Sequence, residues 1–195
     1  MEQLAGLVAF SFVSSVTPGP NNILLWASGA EFGVRRTIRH IVGTSLGVGA
    51  MALAVAAGLG VLVANVPGVA LTMKGVGSVY LLYLAWRIAG AGSLERGNVA
   101  RPLGILPAAS FQVINPKAWI FALGAITTFR PAGLPIATGS LVVAGTMMVV
   151  ILPTAALWAG AGDALGRLVA DARTRRAVSL VLAVIVAATV AYVWI

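Results

Sequence analysis

Six long apolar stretches run through the chain, at about 4 to 30, 38 to 64, 67 to 90, 104 to 128, 134 to 160 and 177 to 195. A hydrocarbon core about 30 Å thick takes roughly 20 helical residues to cross, and each stretch is close to that length or longer. Stretches such as Ile41 to Ala64 are apolar all round. That excludes an outer-membrane barrel, whose strands alternate apolar and polar over about ten residues. The pattern predicts an all-α membrane protein with six transmembrane helices.

Two of the stretches are interrupted. Thr17-Pro18-Gly19-Pro20-Asn21-Asn22 breaks the first and Asn115-Pro116-Lys117 the fourth, each about thirteen residues, roughly 20 Å of helix, after its stretch begins. Both interruptions should therefore lie near mid-membrane. Three spans per half requires that the halves be inverted in the bilayer, and matched proline-interrupted spans in two such halves point to a transporter's binding site. The expectation is one domain over 1–195 built as two inverted three-helix repeats, about 1–95 and 100–195, with helices 1 and 4 broken. Glu2 in place of a basic leader, the absence of a small-residue cleavage site and the broken middle argue that the first stretch is not a cleavable signal.

Composition narrows the class. Of 195 residues 59% are hydrophobic and 9% charged, whereas a soluble chain carries about 25% charged residues. The net charge of +8 would in a soluble protein raise nucleic acid as a partner, but membrane topology accounts for it and no nucleic acid is expected. Arg35, Arg36 and Arg39 follow the first span, Arg87, Arg96 and Arg101 the third, and Arg167, Arg173, Arg175 and Arg176 the fifth, ten of the thirteen basic residues. Basic residues near span ends are held on the cytoplasmic side. Both termini are then expected outside. With no cysteine and His40 as the single histidine, neither a thiol chemistry nor a Cys- or His-rich metal site is available, and no cofactor is predicted.

The interruptions carry the candidate chemistry. Pro18 and Pro20 lack a backbone N–H and clash with the preceding turn, and Gly19 tolerates dihedrals other residues resist. Opened backbone in lipid leaves amides and carbonyls that protein, water or ligand must satisfy, and Asn21 and Asn22 add donors and acceptors there. Asn115-Pro116-Lys117 repeats that logic with a charge. An ammonium mid-span costs roughly 2.5 to 3.5 kcal/mol unless it faces water or an anion. Together with two helix starts, whose free N–H groups attract anions, Lys117 defines a candidate carboxylate site; Gln112, just before the second break, is a candidate hydrogen-bonding partner. The alternatives are a proline kink patched by neighbouring helices and a lysine snorkelling to the interface. Lys74 suits that last reading. Gly29 and Gly33, Gly43 and Gly47, and Gly162 and Gly166 have the spacing of close helix packing. No Asp or Glu falls deep in any span, so Lys117, Glu31 or Asp163 would have to carry a coupled proton, and no catalytic constellation is present.

These residues also carry a resemblance. Thr17-Pro18-Gly19-Pro20-Asn21-Asn22-Ile23-Leu24, then Gly33-Val34-Arg35-Arg36 and Gly43-Thr44-Ser45-Leu46-Gly47, resemble the N-terminal signature of the LysE/RhtB family of bacterial amino-acid exporters, nearest to its cysteine and O-acetylserine branch. Lys74 to Leu81 resembles the family's third span, and Phe111-Gln112 with Asn115-Pro116-Lys117-Ala118-Trp119 its fourth. The resemblance implies a multi-pass protein of the bacterial cytoplasmic (inner) membrane that exports amino acids or close derivatives by alternating access, driven by the proton gradient. The two breaks and the residues beside them give the expected substrate contacts: Thr17, Pro18, Gly19, Pro20, Asn21, Asn22, Gln112, Asn115, Pro116 and Lys117. The lack of deep acids favours small neutral amino acids. The partners expected are that substrate and the lipid bilayer, with a homodimer as one assembly open to so small a transporter. A channel or exporter for another small organic anion, and a non-transporting membrane assembly factor, are the competing readings.

Overall fold

The computed structural model of the chain describes residues 2–91, 102–168 and 171–194. All the regular structure in them is helical. Helix α1 (Glu2–Val16) stops where the prolines begin: its last bond runs from the Thr17 N–H to the Val13 carbonyl at 3.1 Å. Gly19 is extended, Pro20 takes the first helical position, and α2 (Pro20–Phe32) starts there. Proline at that position gives up an N–H that has no intrahelical partner anyway.

Gly33, at φ +77°, ends α2 by donating to the Gly29 carbonyl at 2.8 Å and turns straight into α3 (Val34–Ala54). A π turn over 55–59 with Gly58 at φ +104° separates α3 from α4 (Gly60–Asn65). Then follow α5 (Pro67–Ala91), α6 (Ile105–Ile114), α7 (Pro116–Phe129), α8 (Ile136–Leu168) and α9 (Ala172–Trp194). Asn115 interrupts α6 and α7 in an extended conformation, again with proline next. The Asp171 carboxylate accepts the Thr174 N–H at 2.7 Å and caps α9.

Two corrections to the expected architecture follow. Among the described residues, two helices rather than six are long and apolar enough to cross a membrane, Val34–Leu59 and Ile136–Leu168, at mean hydropathy 1.8 and 2.1. The first and fourth apolar runs fall short because their prolines cut them into helices of 15 and 13 residues and of 10 and 14. Within α9 the described apolar stretch is Arg176–Ala191. Six spans in two inverted repeats are therefore not the architecture. The repeat boundary, with Glu95, Arg96 and Arg101, lies outside the described residues.

The long helix α8 is the packing centre, with α2 and α3 lying against it, while α3 also covers α6 and α5 pairs with α9. The α2–α8 seam is close enough to need glycine on both sides. A Cβ at Gly29 would lie 1.9 Å from the Ala159 carbonyl oxygen, and one at Gly162 would lie 1.9 Å from that of Trp26. Small-residue spacing read from the sequence thus corresponds to backbone-on-backbone contact. One core joins Leu25, Val48, Ala122, Val143 and Met147; a second joins Ile23, Leu84, Phe111 and Val186.

Elsewhere the surface is greasy, with Val79, Trp86, Leu106 and Val149 exposed. Charge gathers at one end. Asp163 pairs with Arg167 at 2.9 Å beside Gly33, and exposed Arg35, Arg36 and Arg39 begin α3 there.

Candidate functional site

The two interruptions meet. The start of α2, the start of α7, the end of α6 and the middle of α3 enclose a cavity of about 40 Å³. By volume that is room for a few waters. Gly19, Asn21, Asn22, Gln112, Asn115 and Lys117 line it, joined by Ser14, Ser15 and Thr44 and by the apolar Val48, Ala118, Phe121 and Ile151. Pro18 and Thr17 are exposed at its edge.

A hydrogen-bond relay crosses the cavity wall. Gln112 Nε2 donates to the Ala108 carbonyl at 3.1 Å and to Asn21 Oδ1 at 3.0 Å, and Thr44 Oγ1 donates to the same Asn21 oxygen at 3.2 Å. Asn115 Nδ2 donates to Gln112 Oε1 at 3.0 Å. Four residues from three helices and one break are thereby fixed to one another, and Asn21, Thr44, Gln112 and Asn115 are all buried. Buried amides without partners would each cost about 1 to 3 kcal/mol, so the relay is also what allows these residues to be inside.

The opened backbone at 17–19 is satisfied from the other break. Lys117 Nζ donates to the Thr17 carbonyl and, at 3.4 Å, to that of Pro18. Asn22 Nδ2 donates to the Thr17 carbonyl at 2.7 Å and to that of Ser15 at 2.8 Å. These are the carbonyls that α1 leaves unpaired at its negative end, which is where a cation is favoured. The Lys117 stem lies on Gly19, where a Cβ would come within 2.7 Å of Cδ. An ammonium has three donors, so two bonds leave it one.

Both helix starts keep free amides at the cavity. In α2 the first bond runs from the Ile23 N–H to the Gly19 carbonyl at 3.1 Å, ahead of which stand the N–H groups of Asn21 and Asn22. In α7 it runs from the Ala118 N–H to the Asn115 carbonyl at 3.0 Å. Neither Gly19 nor Asn115 provides a side-chain cap. Positive potential from two helix ends and one ammonium therefore converges on the cavity.

Other candidates lie elsewhere. The Lys74 ammonium sits 5.9 Å over the Trp194 ring, whose Nε1 donates to Ser78 at 2.9 Å. Trp119 Nε1 donates to the Val113 carbonyl at 2.8 Å and braces the second break without lining the cavity. His40, the single histidine, is buried, with neither ring nitrogen bonded. Sequence reasoning missed Ser14, Ser15 and Thr44. Thr44 carries a signal, one of two adjacent hydroxyls, with Ser45, in a largely apolar run between Gly43 and Gly47.

Interrupted apolar helices around a small cavity edged with amides and an ammonium, with greasy outer faces, suit a membrane translocator. Residues 12–194 match the LysE type translocator family, and the chain belongs to it. The family is one of translocators and not of enzymes, and the chain is a membrane protein. Over 127 residues it is 30% identical to the cysteine/O-acetylserine efflux proteins of Escherichia coli (strain K12), Salmonella typhimurium and Shigella sonnei. Each match covers 65% of this chain and 65% of the relative, just under two thirds of the relatives' length. No solved structure matches the chain. Among the described residues no group of His, Cys, Asp or Glu could hold a metal ion.

Proposed function

We propose that the chain exports small neutral amino acids or their derivatives, of the cysteine and O-acetylserine kind, across the bacterial cytoplasmic membrane by alternating access. The observation that carries this reading is the convergence of the α2 and α7 starts and the Lys117 ammonium on one cavity. A substrate carboxylate would take the Asn21 and Asn22 amides and the remaining Lys117 donor, the arrangement that helix N-termini favour for anions. Among the described residues no carboxylate lines the cavity, so a second positive charge on lysine or arginine would go unpaired. Names of the relatives support the same substrate class.

At about 40 Å³ the cavity is smaller than an amino acid, so its walls would have to separate to admit one. Basic residues at the α3 start and α8 end support a cytoplasmic position for that end of the molecule, with the α1 start, where Gly6 lies against Phe129 next to Arg130, on the outer side. Counterflow in proteoliposomes tests the reading: internal neutral amino acid should accelerate uptake of the labelled one. Flux without such acceleration would make the protein a channel. No flux for any neutral amino acid would end the reading.

A further inference from the structure

Asparagine just before a helix ordinarily turns its oxygen onto the first free amides. Asn115 holds that position before α7 and does not. Its side chain turns instead to Gln112, and its Oδ1 is buried with no hydrogen-bond partner.

Which end of each amide points where follows from one fixed acceptor. A backbone carbonyl can only accept, so the bond to Ala108 makes that end of Gln112 its Nε2. The other end is then Oε1, which must receive Asn115 Nδ2. That leaves Asn115 Oδ1 as the acceptor end of the relay, and no rotation of the three amides moves it without breaking a bond. At the opposite end Asn21 spends its oxygen on Gln112 and Thr44, so its free valence is a donor. The relay is polar along its length: a donor at the start of α2, an acceptor at the break before α7.

We infer that Asn115 Oδ1 receives the substrate's ammonium group and is the residue by which the site distinguishes amino acids from simple carboxylates. The inference rests on the transport reading above and adds the substrate's orientation. The carboxylate lies toward Asn21 and Lys117, the ammonium toward Asn115. A buried acceptor otherwise left empty then gains a charged donor, a bond worth more than a neutral one.

The test compares substrates that differ only by the amino group, in counterflow of radiolabelled L-cysteine, kept reduced, into proteoliposomes. L-Cysteine competes against 3-mercaptopropionate, and L-serine against 3-hydroxypropionate. The native chain should prefer each amino acid by about 10- to 100-fold. Asn115→Leu should lose most of that preference, read as the ratio of the paired competitors at whatever counterflow remains once Gln112 Oε1 has lost its donor. Asn115→Asp, whose protonated carboxyl donates to Gln112 Oε1 as the amide does and keeps the acceptor, should retain it; this variant decides the matter if the leucine variant does not fold, as judged by its melting in detergent. An unchanged preference in Asn115→Leu, or collapse of the preference in Asn115→Asp, overturns the inference. Counterflow with no native preference overturns it alone, whereas absence of counterflow for every neutral amino acid overturns the transport reading beneath it.

Discussion

Asn21 and Gln112 stand 91 positions apart in the chain, and a 3.0 Å hydrogen bond joins them inside the protein. Each side chain belongs to a different interrupted run, so the bond ties the start of α2 to the end of α6. Replacing Gln112 with Leu removes a donor from Asn21 Oδ1 and the acceptor of Asn115 together. Stability should fall by about 1 to 3 kcal/mol, read as a lower melting temperature in detergent, and counterflow should fail. A variant that melts and transports as the native chain does would show that the relay is dispensable.

Lys117 supports both the break and the charge at the cavity. Lys117→Met keeps an unbranched stem against Gly19 while removing the bonds to Thr17 and Pro18. Efflux should be abolished while membrane insertion, followed by fractionation, is retained. Unimpaired efflux would remove Lys117 from the site.

Glycines along α8 should differ sharply in tolerance. A methyl at Gly162 would meet the Trp26 carbonyl at 1.9 Å, whereas nothing lies within 4 Å of one at Gly145. Gly162→Ala should therefore cost about 1 to 3 kcal/mol or more through overpacking. Gly145→Ala should be neutral or gain about 0.5 to 1 kcal/mol of helix stability. Melting temperatures of the two variants, measured side by side, check the contrast.

Gly58 offers a separate test, of backbone alone. At φ +104° it has open space around it, so an added methyl clashes with nothing but still forces a conformation L residues resist. Gly58→Ala should destabilise by about 1 to 2 kcal/mol, while Gly68→Ala, equally unobstructed and without positive φ, should not. Equal melting of both variants would contradict the assignment of the π turn to Gly58.

Where the backbone leaves the helix was legible, because Pro18, Pro20 and Pro116 lack the amide that a helix interior needs. So was the gathering of Asn21, Gln112, Asn115 and Lys117, since polar groups in apolar runs must find one another. How many helices span was not. Hydropathy sums over a run regardless of whether its hydrogen bonds are continuous, and it counted α1 with α2, and α6 with α7, as single elements. Nor could the sequence say what Lys117 touches. Its charge suggested an anion, while the nearest need it meets is that of the Thr17 and Pro18 carbonyls. Thr44 escapes notice because α3 also carries Thr37 and Ser45, and the Thr44 hydroxyl gains its meaning only from Asn21, which arrives from another helix.

The seam at Gly29 and Gly162 fixes how the site can move. With main chains touching there, α2 has no slack to slide or roll by itself, so whatever shifts Asn21 must carry the 33 residues of α8 with it. A rotation about this seam too small to notice at the cavity is a larger displacement at the far end of so long a helix.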